Sequence, residues 1–147
     1  MSAGNRIDVL LADDDADDRA LTVRALGGLR MPPACFEVFD GLAAIEFLLQ
    51  RGRFADRAGT PLPRLVLLDL KLPLRNGIEV VQTVRSEGLN RQVPIVVLTS
   101  SELDRDIDAA YLAGANGYVL KPGIYAHYMT GIQRTAAYWL EVNRTTG

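Results

Sequence analysis

Residues 65–77 read LVLLDLKLPLRNG: four consecutive aliphatics, Asp69 directly behind them, then a turn-rich segment. A short run that is apolar on both faces suits a central parallel strand covered by helices on either side. A carboxylate at the end of such a run is costly unless it has partners. After Pro73, Asn76 and Gly77, the residues Ile78, Val81 and Val84 recur at helical spacing.

The same alternation extends in both directions. Residues 7–12 (IDVLLA) form a β-rich apolar run that ends at Asp13-Asp14. Leu21, Ala25 and Leu26 then give a helical stripe that stops at Gly27-Gly28. Residues 36–39 predict a second strand. Leu42, Ile45, Leu48 and Leu49 predict a helix over 41–53, and 51–63 (RGRFADRAGTPLP) reads as a long polar connector. Downstream, 94–98 (PIVVL) is a buried strand ending at Thr99. A helix around 107–112 stops at Gly114, and a last short strand over 118–120 ends at Lys121-Pro122. A long helix over 124–142 carries Tyr128, Ile132 and Ala136 on one face, with Trp139 close to it.

Five strands alternating with five helices predict an α/β fold, a doubly wound parallel sheet with helices on both faces. Right-handed crossovers leave few topologies, and the flavodoxin-like order 2-1-3-4-5 is the natural one. Its switch point lies between strands 1 and 3, and ligands are expected beyond the carboxyl ends of those strands.

Composition narrows the function. The 147 residues suit one domain, spanning 1–147 with a core of about 6–140. Eighteen acids against sixteen bases, a net charge of -2, argue against a nucleic-acid or anionic-membrane binder. No apolar run reaches membrane-spanning length and residues 1–6 lack a signal-type apolar region, so a cytoplasmic protein is expected. The single cysteine, Cys35, and single histidine, His127, exclude a disulfide framework, a zinc cluster and multi-histidine metal sites. Fourteen of the bases are Arg and only Lys71 and Lys121 are Lys, a bias that codon usage explains, although both lysines fall near Asp69 in the expected fold.

Asp13 and Asp14, Asp69, Thr99 and Lys121 end strands 1, 3, 4 and 5, and a doubly wound sheet gathers those ends on one edge. Two like charges 4 Å apart repel by about 4 kcal/mol at an effective dielectric of 20. Protonation or a cation must relieve that repulsion. A hard divalent ion such as Mg2+ suits clustered carboxylates, with one lysine offsetting part of the charge. Each residue alone has a plainer reading. Asp13 to Asp18 suit a helix cap and a solvated first turn, Thr99 a β-former or cap, Tyr118 core, and Lys121 surface. Their joint placement favours a site.

In this order and spacing, Asp13-Asp14, Leu68-Asp69, Leu72-Pro73-x-x-Asn76-Gly77, Thr99-Ser100, Tyr118 and Lys121-Pro122 resemble the receiver domains of two-component response regulators. Residues 12–22, 38–42, the long connector and 138–140 resemble the single-domain regulators associated with phytochrome-type histidine kinases. The resemblance implies that Asp69 takes a phosphoryl group from a phosphohistidine of a partner kinase. It implies Mg2+ held by Asp13, Asp14, Asp69 and the backbone carbonyl of Lys71, Asp13 acting through a water. Lys121 would neutralise the transferring group. Thr99 and an N–H near Ser100 would bond the phosphoryl oxygens, with Tyr118 turning inward as Thr99 moves. The Lys121-Pro122 bond is expected to be cis.

Lys71 departs from the family pattern, where a smaller side chain is common. Its ammonium either points to solvent or enters the site and tunes the phosphoryl lifetime. Two rival functions remain: a small Mg2+-dependent phosphatase of the haloacid-dehalogenase type using Asp13-x-Asp15, and a scaffold that keeps the fold without the chemistry. The first lacks the usual residue after Asp15 and a cap domain, and the complete set of site residues argues against the second. No DNA-binding domain is expected after the last helix, so output falls to another protein, a relay or a phosphate sink. The surface from strand 4 to helix 5 carries Tyr and aliphatic residues that suit a homodimer, and ordinary core packing explains many of them equally well.

Overall fold

The computed structural model describes residues 6–88, 93–121 and 123–144. In chain order the elements are β1 (Val9–Ala12), α1 (Ala16–Gly27), β2 (Cys35–Val38), α2 (Gly41–Leu49), β3 (Leu65–Leu68), α3 (Gly77–Ser86), β4 (Ile95–Thr99), α4 (Asp104–Ala113), β5 (Gly117–Leu120) and α5 (Tyr125–Ala137). All strands pair in parallel in the order β2-β1-β3-β4-β5, as expected from the sequence.

Parallel strands with helices on both faces bury alternate side chains in two separate cores. Leu10, Ala12, Val66, Leu68 and Ile95 face α2 and α3, where Ala44, Ile45, Phe47, Leu48, Val80, Val81 and Val84 close the packing. Val9, Leu11, Leu65, Leu67, Val96 and Leu98 face α1 and α5, against Ala25, Leu26, Tyr128, Ile132, Ala136 and Leu140. A smaller cluster of Leu70, Val97, Ala110 and Ala115, with Ile78 and Tyr118 against it, fills the space under α4.

The differences from the sequence pattern have local causes. The second helix ends at Leu49 rather than Arg53, because Gln50 turns left-handed at φ 56° and Gly52 follows at φ 58°. The expected connector begins with a 3-10 segment, Gly52–Arg57. It is held by Phe54, whose ring meets those of Phe36 and Phe47 edge-on at 5.8 and 5.2 Å. Phe39, expected in the second strand, lies beyond its end and is more than half exposed. The last helix changes to a π-turn over Tyr138–Val142, capped by the Arg64 guanidinium on the Leu140 carbonyl. Gly114 ends α4 as expected, at φ 116°, a conformation that glycine adopts without Cβ strain. The Lys121-Pro122 bond lies outside the described residues.

Candidate functional site

Ladder hydrogen bonds that continue past the strand ends set the site. The Asp69 N–H donates to the Ala12 carbonyl at 3.0 Å, which places Asp69 beside Asp13. The Lys121 N–H donates to the Thr99 carbonyl at 2.8 Å, aligning the ends of β4 and β5. Four polar residues predicted from four different segments therefore share one sheet edge.

The loop after β3 folds closely back on Asp69. Asn76 caps α3: its side chain accepts the Glu79 N–H at 3.0 Å while Glu79 accepts the Asn76 N–H at 3.1 Å. The Gly77 N–H reaches the Leu70 carbonyl at 2.8 Å, and a Cβ at Gly77 would stand 2.4 Å from the Asp69 carbonyl oxygen. Only glycine permits that approach. On the other side Asp15 is the N-cap of α1, accepting the Asp18 N–H at 3.0 Å, and its own N–H donates to Asp13 at 2.9 Å. Arg19 secures the Asp13 backbone by donating to its carbonyl at 2.9 Å while its guanidinium lies over the Phe39 ring at 4.0 Å.

The Lys121 ammonium stands at the centre, its side chain only 8% exposed. It donates to Asp13 at 2.7 Å, to Asp69 at 2.9 Å and to Asp18 at 2.9 Å. An ammonium has three donors, so this set is saturated. Burial works to lower the Lys121 pKa, but the bonds to Asp13, Asp69 and Asp18 outweigh it and hold the group charged well above the usual lysine range. Asp13 is almost fully buried, and that burial raises its pKa; the bond from Lys121 opposes the shift and the nearby Asp69 charge adds to it.

Asp13, Asp14 and Asp69 each present a carboxylate oxygen within 4.8 Å of the others. Three carboxylates, Asp13, Asp18 and Asp69, bond one ammonium and Asp14 adds a fourth beside Asp13 and Asp69, so negative charge remains uncompensated after Lys121 is counted. Clustered hard oxygens with an excess of negative charge fit a hard divalent cation. Asp14 is the exposed member, open to solvent and to an incoming ion.

Thr99 is buried at the end of β4, and its hydroxyl accepts the Ser101 N–H at 3.4 Å. The Ser101 carbonyl in turn accepts the Tyr118 hydroxyl at 2.9 Å. Thr99 and Tyr118 are thus joined through one residue of the β4–α4 loop. Lys71 behaves differently: its N–H approaches Asp69 at 3.3 Å, but the side chain is exposed and its ammonium forms no ion pair within 4 Å among the described residues.

Asp18 is the site residue that sequence reasoning missed. It reads as one more acid in a helix first turn, favourable against the dipole and solvated. The available signal was its place at the third helical position after the Asp15 cap, from which a short carboxylate can reach back toward the strand ends.

Comparison with known proteins agrees with this geometry. Residues 9–130 match the family model for the response regulator receiver domain. The chain is 34% identical over 139 residues to the probable methanogenesis regulatory protein FilR2 of Methanothrix harundinacea, covering 95% of this chain and 87% of that one. It is 32% identical over 133 residues to the response regulator Rcp1 of Synechocystis, covering 90% and 88%. The solved structure of Rcp1 in its Mn2+-bound form superposes with a TM-score of 0.86 at 30% identity, covering 97% of this chain and all of that one. The phosphorylated cyanobacterial phytochrome response regulator RcpA gives a TM-score of 0.87 at 28% identity, covering 97% and 99%.

Proposed function

Because the chain belongs to the response regulator receiver domain family, a family of two-component signalling proteins, we propose that Asp69 is the residue that takes the phosphoryl group. The observation that carries this reading is the Lys121 ammonium held at 2.9 Å from Asp69 and 2.7 Å from Asp13, beside a cluster of three carboxylates. The donor is a phosphohistidine of a partner histidine kinase, of phytochrome type by likeness to RcpA.

An Asp69 carboxylate oxygen forms a bond to phosphorus as the nitrogen–phosphorus bond of the donor breaks, and the electron pair returns to the imidazole. Charge gathers on the equatorial phosphoryl oxygens, where Lys121 offsets it. Asp13, Asp14, Asp69 and the Lys71 carbonyl would hold Mg2+, which when bound spreads that charge further. The Thr99 hydroxyl and an N–H near Ser100 bond the phosphoryl oxygens. Moving Thr99 disturbs its contact with Ser101, and through the Ser101 carbonyl it disturbs Tyr118. Phosphorylation then repacks the surface from β4 to α5 only as far as its contacts differ between the two states. That surface exposes Tyr111, Leu112, Leu120, Ile124 and Tyr125, which suit a homodimer or another protein.

Among the described residues no helix is long and apolar enough to cross a membrane, and the cytoplasm is the proposed compartment. The protein acts as a signalling acceptor, and the only reactions it catalyses are its own phosphorylation and slow dephosphorylation. Incubating it with autophosphorylated histidine kinases of the same organism tests the reading. Label should pass to the wild-type protein with Mg2+ and fail to pass to Asp69→Asn; transfer to Asp69→Asn at the wild-type rate would refute it.

A further inference from the structure

We infer that Asp18 is a positioning residue for phosphoryl transfer, acting through Lys121; the inference rests on Asp69 as the acceptor. Of the three carboxylates on the ammonium, Asp69 is consumed by the reaction, since one of its oxygens becomes the ester oxygen of the acyl phosphate. Asp13 belongs to the oxygen cluster suited to a cation, so its charge is shared when one is bound. Asp18 is outside that cluster and takes no part in bond making. It alone offers Lys121 the same full carboxylate before and after transfer.

Its own position is tightly set. The Asp18 N–H donates to the Asp15 cap at 3.0 Å, and its carbonyl accepts the Thr22 hydroxyl at 2.9 Å. Thr22 also meets the Tyr128 hydroxyl of α5 at 2.9 Å, and both residues are buried. That polar pair ties α1 to α5, as does Gln133 of α5, which donates to the Ala25 carbonyl of α1 at 3.1 Å. A lysine has a long flexible stem and no fixed direction of its own. Anchoring one of its three donors to α1 leaves the other two aimed at the acceptor and at Asp13.

A double-mutant cycle with a small phosphodonor and no kinase tests this. Asp18→Asn, which keeps the shape and removes the charge, should slow phosphorylation about tenfold, the loss expected for one charge-assisted hydrogen bond. Asp17→Asn, on the exposed side of the same helical turn, should stay within about twofold, the size of a screened surface effect. In the Lys121→Met background Asp18→Asn should cost nothing further. The same cycle in metal-free protein, read as the urea midpoint, should show that the shift caused by Asp18→Asn vanishes without Lys121. Equal slowing by Asp17→Asn would show a general field effect and overturn the inference. So would an Asp18→Asn penalty, in rate or in midpoint, that is as large without Lys121 as with it. Asp69→Asn run in parallel separates the two levels: labelling that survives it refutes the acceptor assignment, whereas an inert Asp18→Asn beside a dead Asp69→Asn refutes only the role of Asp18.

Discussion

Lys121 and Lys71 both reach Asp69, one from just beyond β5 and the other from two residues after it in the chain. Lys121 is enclosed, bonded to carboxylates from β1, α1 and β3, and 8% exposed. Lys71 turns its side chain to water and offers Asp69 only a backbone N–H. Position near the acceptor is therefore insufficient to define a role. What separates the two is the number of fixed negative groups that the fold brings to each ammonium, and for Lys121 one of the three comes from α1 rather than from the sheet edge.

Removing the enclosed lysine should do the most damage. Lys121→Met should slow phosphorylation by about a hundredfold, as loss of one charge-stabilising group at a transferring phosphoryl does. In metal-free protein it should also cost about 3 kcal/mol of stability, because Asp13 is left buried without its counter-charge. Urea unfolding with chelator should show that loss, and Mg2+ should reduce it. If Lys71→Ala matched either effect, the comparison would fail.

The second prediction concerns pH. The folded-state pKa of Lys121 is raised, so the stability it contributes is complete below the ordinary lysine value of 10.5 and is lost as pH rises beyond it. The stability gap between wild type and Lys121→Met should hold at neutral pH and narrow above roughly pH 10.5.

Smaller effects belong to the exposed side. Lys71→Ala should leave the transfer rate and the lifetime of the acyl phosphate within about threefold, as for other exposed charges. A larger change in lifetime would mean that the ammonium enters the phosphorylated site. In the same loop Leu74 is 72% exposed and adopts φ 68°, a left-handed conformation that costs a branched residue about 1–2 kcal/mol. Leu74→Asn should raise the unfolding free energy by up to about 1 kcal/mol without altering transfer, since asparagine tolerates that conformation.

How much was legible in the sequence follows from the range of the interactions involved. The run 65–68 coincides with β3 because its apolar residues are buried on both faces and Asp69 ends it. The convergence of Asp13, Asp14, Asp69, Thr99 and Lys121 followed from strand order alone. The end of α2 was hidden because Gln50 takes a left-handed turn that its residue type does not advertise. The 3-10 segment depends on Phe54 finding Phe36 and Phe47, a tertiary contact. Asp18 escaped for a similar reason: its bond to Lys121 joins α1 to the residue just beyond β5, a contact that exists only in the folded chain.

The proposal that Asp69, beside the enclosed lysine, is the acceptor is open to a direct chemical test. Phosphorylation by a small phosphodonor with Mg2+, borohydride reduction of the acyl phosphate and peptide mass spectrometry would locate the modified residue. A single modified aspartate is expected at Asp69, absent from Asp69→Asn. Modification at Asp13 instead, persisting in Asp69→Asn, would contradict it and point to the phosphatase chemistry of an Asp13-x-Asp15 nucleophile.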